Sequence, residues 1–152
     1  MTYACELIQR ERRPALVVRT RTPVAEMSSV LGPAWGAVMA CAAKAGAQPS
    51  SPPFVAYHNM DMSDLDIEIG FAVPHPVEGE GDVAAGDIAA GRAAVTLHVG
   101  PYDQVGAAYE ALQDWMRAND LAPAGPPYEF YLNDPQDTPP DQLQTRVVWA
   151  VQ

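Results

Sequence analysis

The feature that most constrains the fold of this chain is an internal repeat. Residues of the same type or character recur at one offset, the 74 residues that separate Pro126 from Pro52. In stretches typical of strands, Pro52, Pro53, Phe54, Tyr57 and Asn59 match Pro126, Pro127, Tyr128, Tyr131 and Asn133. In stretches typical of helices, Leu31, Trp35 and Val38 match Val105, Tyr109 and Leu112. Because two separate segments share one offset, we predict two similar halves.

The spacing of apolar residues predicts the element order β-α-β-β in each half. The predicted strands are 5–20 with a break at RRP, 54–60, 66–73, 88–100, 128–132 and 146–151. The predicted helices are 24–46 and 102–119. Pro33 suggests that the first helix begins late, because proline is tolerated in the first turn of a helix.

We therefore expect an α+β fold in which helices pack on antiparallel sheets. The expected halves are 1–74 and 87–152, joined by a linker at 75–86 that is rich in glycine, proline and acidic residues. We expect the halves to be related by a pseudo-two-fold axis with a ligand cleft between them. Together they form one domain of 1–152, a length that suits a single hydrophobic core.

Charge and hydropathy exclude two classes of partner. The net charge is −10, and Glu6 and Glu11 interrupt the one cluster of arginines, at residues 10–21, so we expect no nucleic-acid binding. No apolar run approaches the ~20 residues that a membrane-spanning helix needs, and the N-terminus lacks the apolar segment of a secretory signal. We expect a cytoplasmic protein in which Cys5 and Cys41 are reduced, a disulfide being the alternative.

The stretch PPYEFYL at 126–132 places one carboxylate, Glu129, among aromatic residues. On a strand Glu129 and Tyr131 point to the same face. The repeat pairs Tyr57 with Tyr131, Trp35 with Tyr109 and Phe71 with Trp149, so all of these are candidates for one aromatic pocket. The predicted ligand-binding residues are Trp35, Tyr57, Phe71, Tyr109, Glu129, Tyr131 and Trp149. For each aromatic residue the alternative is a place in the core, and for Glu129 it is a solvated strand edge.

Several motifs in the second half resemble a known family. They are Gly100-Pro101-Tyr102 before the second helix, Trp115 late in that helix, Glu129-Phe130-Tyr131 on a strand, and Asp134-Pro135 after it. In this combination they resemble the GyrI-like small-molecule-binding domain, which occurs in effector domains of MerR-type and AraC-type multidrug-responsive regulators and as stand-alone proteins. The resemblance covers essentially the whole chain. It leaves no room for a helix-turn-helix, so we expect a stand-alone member.

The resemblance implies two SH2-like halves around a drug-sized apolar pocket. It also implies that Glu129 contacts lipophilic, often cationic aromatic ligands, and physical chemistry agrees because a buried carboxylate favours a cationic partner. The first hypothesis is therefore a multidrug-type small-molecule-binding protein. No cofactor is expected, and no metal, because no histidines and carboxylates have metal-ligand spacing.

Two alternatives come from the same resemblance. Some stand-alone members hydrolyse cyclopropane-bearing, DNA-alkylating natural products. In such an enzyme Glu129 is the candidate general base, and Tyr57 or Tyr131 the candidate for polarising the substrate. The third hypothesis is an inhibitor that interacts with DNA gyrase, for which the acidic charge is the only support.

Overall fold

The computed structural model describes residues 3–152, which contain eight strands and two α-helices. The strands are β1 Cys5–Arg10, β2 Arg13–Thr22, β3 Phe54–Tyr57, β4 Leu65–Ala72, β5 Ala84–Ile88, β6 Gly91–Val99, β7 Pro123–Tyr131 and β8 Gln144–Val151. The helices are α1 Met27–Lys44 and α2 Gly106–Ala118. Within the described range no helix is long and apolar enough to cross a membrane.

The contacts divide the chain into two units. The terminal unit is the N-terminal segment up to Arg10 together with Gly91–Gln152, and the middle unit is Glu11–Ala90. Each unit has its own strands and one helix, so the α+β class with antiparallel strands and packed helices is confirmed.

In the terminal unit the strands lie in the order β1, β6, β8 and β7, and every neighbouring pair is antiparallel. Helix α2 turns its buried residues, Ala108, Leu112 and Met116, toward this sheet. Their spacing of four residues places them on one face of the helix. They pack against a sheet face that includes Ala94, Val147, Trp149 and Val151.

In the middle unit the strands lie in the order β3, β4, β2 and β5, again all antiparallel. Helix α1 contributes Val38, Cys41 and Ala42 to a core that contains Leu16, Phe71 and Val73. The helix ends before Gly46, whose φ of 71° is the left-handed conformation that glycine adopts without strain. Cys5 and Cys41 are both free thiols.

The structure contains the helix predicted at 24–46, but the late start that Pro33 suggested is wrong. The helix begins at Met27, after a 3-10 turn at Val24–Glu26, and continues through Pro33. The proline removes one backbone donor and crowds the preceding turn, yet packing of Val38, Cys41 and Ala42 extends on its C-terminal side. Tertiary burial therefore outweighs the local preference of this residue.

The acidic linker also differs from its prediction. Residues 84–88 form β5, which pairs with β2 from Arg13↔Ile88 to Val17↔Ala84. Only Ile88 of this strand is buried, so the segment lacks the alternating apolar pattern from which a strand is predicted. The strand that was predicted as 88–100 begins at Gly91, whose φ is 133°.

Candidate functional site

Glu129 lies on β7, the last strand in the order of the terminal unit, and is only 6% exposed. It is on β7 opposite Val147 of β8, and directly opposed residues in an antiparallel pair share one face of the sheet. Val147 belongs to the core beneath α2. Glu129 therefore points to the helix-covered face and not to a solvated edge.

Two tyrosines donate hydrogen bonds to the Glu129 carboxylate. The Tyr109 hydroxyl, from α2, donates to Oε2 at 2.6 Å. The Tyr131 hydroxyl, two residues along β7, donates to Oε1 at 2.9 Å. Hydrogen bonds donated to a carboxylate stabilise its charged form. The arrangement therefore suits a buried negative charge held between a strand and a helix.

Trp149 completes this part of the site. Its ring meets the Tyr109 ring edge to face, with centroids 5.8 Å apart. Its indole Nε1 donates to the carbonyl oxygen of Gly125 at 3.0 Å, so the buried polar atom of this side chain is satisfied. Four of the predicted residues, Tyr109, Glu129, Tyr131 and Trp149, thus form one connected group within the terminal unit.

Tyr102 belongs to the same group, although it is absent from the predicted ligand-binding residues. Its ring meets the Tyr131 ring edge to face at 5.3 Å. Burial, and secondly the negative charge of Asp134, raise the pKa of Tyr102 above its ordinary value. The Gly100-Pro101-Tyr102 motif was the available signal, because it places a tyrosine at the turn that precedes α2.

Buried His98 holds the turn that carries Tyr102 in place through hydrogen bonds. His98 Nε2 donates to the carbonyl oxygen of Pro101 at 3.0 Å, since a carbonyl only accepts. Its Nδ1 accepts from the Tyr3 hydroxyl at 2.9 Å. Gly100 adopts a φ of 140°, which allows the chain to reverse between His98 and Pro101. This network fixes the start of the segment that leads into α2.

The remaining predicted residues lie in the middle unit. Trp35 is half-buried on α1. The Tyr57 hydroxyl lies 4.0 Å from Sδ of Met27, where β3 ends and α1 begins. Phe71 is 2% exposed and packs in the core with Leu16 and Val38. For these three residues a part in ligand binding stays a prediction. In the range 3–152, no group of three or more His, Cys, Asp and Glu side chains is placed to hold a metal ion.

Solved structures share this fold. The crystal structure of the EcmrR C-terminal domain is 22% identical, with a TM-score of 0.89, and the alignment covers 100% of this chain and 99% of that domain. In the cryo-EM structure of an EcmrR–DNA complex, also 22% identical with a TM-score of 0.86, 99% of this chain matches only 57% of the EcmrR chain. At these identities the likeness establishes the fold.

Two more distant structures have the same architecture. SAV2435 bound to tetraphenylphosphonium is 13% identical with a TM-score of 0.63, and the alignment covers 100% of this chain and 94% of SAV2435. A hydrolase from Listeria innocua is 17% identical with a TM-score of 0.70, and 97% of this chain and 91% of that chain align.

No curated protein matches the sequence significantly. The family model of the GyrI-like small molecule binding domain, however, matches residues 3–152. That match extends over nearly the whole sequence and includes both units. The chain therefore belongs to the family of GyrI-like small-molecule-binding domains.

Proposed function

We propose that this protein binds lipophilic, often cationic aromatic molecules and that Glu129 is the anchor for their positive charge. The observation that carries the proposal is a carboxylate that is 6% exposed and bonded to two tyrosine hydroxyls. Two unit charges about 5 Å apart attract by roughly 3 kcal/mol at an effective dielectric constant near 20. Each aromatic face that meets the cation adds about 0.5–2 kcal/mol.

The comparisons support this choice of ligand. The family is one of small-molecule-binding domains, and SAV2435 was solved with tetraphenylphosphonium, a lipophilic cation surrounded by phenyl rings. In the present chain the hydroxyls of Tyr109 and Tyr131 bond to the carboxylate, and the rings of Trp149 and Tyr102 contact those two tyrosines. Ring faces make few directional demands, so flat and propeller-shaped aromatic cations are both expected ligands.

The test is Glu129→Gln, read with two ligands of similar shape. Methyltriphenylphosphonium carries a positive charge, and triphenylphosphine oxide is neutral. We expect the substitution to weaken cation binding by about tenfold to a hundredfold, because 1.4 kcal/mol corresponds to tenfold in the dissociation constant. Binding of the oxide is expected to change less than about twofold. Isothermal titration calorimetry measures both dissociation constants.

A matched control is Glu110→Gln, which removes the same charge from an exposed position of α2 next to Tyr109. This variant is expected to bind both ligands like the wild type. If Glu129→Gln weakens the cation and the oxide equally, Glu129 does not act through its charge, and the proposed anchor is wrong.

The second candidate function is hydrolysis of a cyclopropane-bearing alkylating agent. The same carboxylate and its two phenols favour it, since they combine a base with groups that polarise a substrate. We place binding first because the family model that matches the chain is one of small-molecule-binding domains. Mass spectrometry after incubation with such a compound separates the two functions. A binder returns the compound unchanged, and a hydrolase adds water to it in a step that Glu129→Gln abolishes.

A further inference from the structure

Thr145 is a fully buried residue of β8 whose hydroxyl has no hydrogen-bond partner within residues 3–152. The other buried threonines of this range, Thr22 and Thr96, each donate to a backbone carbonyl oxygen. A buried hydroxyl without a partner lowers the stability of the folded state, and few such groups occur in folded proteins. A threonine where isosteric valine avoids this cost points to a partner from outside the chain.

Thr145 lies beside the candidate site, on the helix-covered face of the sheet. It is directly opposite Tyr131 of β7 and, on its other side, His98 of β6. Directly opposed residues of antiparallel strands share one face, and Tyr131 shares that face with Glu129. Diagonal neighbours in such a pairing are about 7–8 Å apart, so one small molecule can contact both Glu129 and Thr145.

The polar groups next to Thr145 are already engaged elsewhere. Both ring nitrogens of His98 are hydrogen-bonded, one to a tyrosine hydroxyl and the other to a backbone carbonyl oxygen. The Tyr131 hydroxyl donates to Glu129 at 2.9 Å. The Thr145 hydroxyl is therefore the group on this part of the face that still has a hydrogen bond to give and to accept.

We propose that Thr145 is a specificity-determining residue that hydrogen-bonds to a neutral hydroxyl or carbonyl group of the ligand. The preferred ligands are then aromatic cations that carry such a group within about 8 Å of the positive charge. This inference rests on the proposed role of Glu129 as the anchor for that charge. It adds a second contact, which reads a neutral group.

The gain from this contact is larger than that of an ordinary hydrogen bond. A typical hydrogen bond contributes little net free energy, because both partners give up a bond to water when it forms. The Thr145 hydroxyl is buried and gives up no bond within the described chain. The ligand alone exchanges one partner for another, and the protein satisfies a group that is otherwise unsatisfied.

Tyr131 controls access to both polar contacts. It is the common neighbour of Glu129, two residues away on the same strand, and of Thr145, directly across the strand pair. Its side chain is half-buried, and its ring packs edge to face on Tyr102. A ligand that moves the Tyr131 ring aside reaches the carboxylate and the hydroxyl together.

The test uses two phosphonium probes of nearly equal size, (3-hydroxypropyl)triphenylphosphonium and butyltriphenylphosphonium, which differ by a hydroxyl in place of a methyl group. Dissociation constants are measured by calorimetry near neutral pH with the full chain. We expect the wild type to bind the hydroxyl probe at least as tightly as the butyl probe. If the ligand hydroxyl finds no partner in the site, its burial instead weakens the hydroxyl probe about tenfold relative to the butyl probe.

Thr145→Val removes the hydroxyl and keeps the shape of the side chain. It is expected to weaken the hydroxyl probe about tenfold and to change the butyl probe less than about twofold. Thr145→Ser keeps a hydroxyl and is expected to retain the wild-type ratio of the two dissociation constants. The matched control is Thr96→Val, on the same face but with its hydroxyl bonded to Ala4, which is expected to leave the ratio unchanged.

Thermal unfolding tests whether the Thr145 hydroxyl lacks a partner in the folded chain. Thr145→Val is expected to raise the midpoint of unfolding by about 2–4 °C, because it removes an unsatisfied buried group. Thr96→Val is expected to lower the midpoint by a similar amount, because it removes a hydroxyl that is hydrogen-bonded. A lower midpoint for Thr145→Val would show that the hydroxyl already has a partner, which overturns the inference.

The binding outcomes separate the inference from the function on which it rests. If Thr145→Val changes both probes equally or changes neither, Thr145 does not read the neutral group, and Glu129 remains as the charge anchor. If the wild type binds neither phosphonium probe, the proposed function fails together with the inference.

Discussion

Gly70 occupies a point in β4 where the backbone of the neighbouring strand leaves no space for a side chain. A Cβ atom built on Gly70 would overlap the carbonyl oxygen of Leu16 and approach Val17 to 3.0 Å. Gly70 is paired with Val17 on β2 and with Phe54 on β3, so a neighbouring strand lies on each side of it. Because the obstructing atoms belong to the backbone, rotation of a side chain cannot relieve the overlap.

We therefore predict that Gly70→Ala lowers the free energy of unfolding by about 2–3 kcal/mol, as expected for forced overpacking. The control is Gly36→Ala in the exposed part of α1, where a Cβ meets nothing within 4 Å. That substitution is expected to raise the free energy of unfolding by about 0.5–1 kcal/mol, because alanine favours a helix. Urea denaturation followed by circular dichroism measures both. Equal effects of the two substitutions would show that the β4 backbone accommodates a side chain.

Helix α1 shows how an element can be predicted while its limits are not. The recurrence of Leu31, Trp35, Val38 and Ala42 predicts a helix, and the structure places one at Met27–Lys44. Pro33 was interpreted as a start signal, but it lies seven residues into the helix. The local preference of proline is visible in the sequence. The core contacts of the helix, which all lie on the C-terminal side of Pro33, are not.

Pro33→Ala is accordingly expected to stabilise the protein by about 1–3 kcal/mol. Alanine restores a backbone donor inside the helix, and proline costs about 3 kcal/mol relative to alanine in a helix interior, reduced by its lower entropy in the unfolded chain. The control is Pro23→Ala, outside the helix, where φ is −65° and suits proline without strain. Pro23→Ala is expected not to raise the free energy of unfolding. The midpoint of urea unfolding distinguishes the two, and a loss of stability in Pro33→Ala would contradict the interpretation.

Strand β7 was more predictable than its surroundings. Alternation alone places Glu129 and Tyr131 on one face, and the repeat suggested Tyr109 as a candidate for the same pocket. In the structure both tyrosine hydroxyls donate hydrogen bonds to Glu129. The contact of Tyr102 with Tyr131 was not predicted, because it depends on the path of the 3-10 turn at Tyr102–Gln104. The pairing of β1 with β6 was also not predicted, since apolar periodicity does not show which distant strands are neighbours.

At the scale of the molecule, the terminal unit depends on parts of the chain that are far apart in sequence. Strand β1 pairs with β6 from Cys5↔Thr96 to Arg10↔Gly91, and Tyr3 bonds to His98. His98 holds the turn before α2, the helix that presents Tyr109 to Glu129. Tyr3 and β1 are therefore structurally linked to the candidate site.

The charge of the whole molecule makes a separate contribution to ligand capture. The chain contains nine Lys and Arg residues and nineteen Asp and Glu residues, which gives the net charge of −10. A field of one sign raises the concentration of cations near the surface. It is screened over a Debye length of about 30 Å at 0.01 M salt and about 8 Å at 0.15 M. Salt screens the short-range attraction between a bound cation and buried Glu129 much less.

We predict that the dissociation constant of methyltriphenylphosphonium rises about two- to fivefold when NaCl is increased from about 10 mM to about 300 mM. Neutral triphenylphosphine oxide is expected to show little change, which controls for effects of salt on the protein. Glu129→Gln lowers the affinity but keeps nine tenths of the net charge, so it is expected to retain nearly the same relative salt dependence. Calorimetric titrations at both salt concentrations provide the measurement. If Glu129→Gln abolishes the salt dependence, the attraction comes from that single carboxylate, and the acidic surface has no part in attracting the ligand.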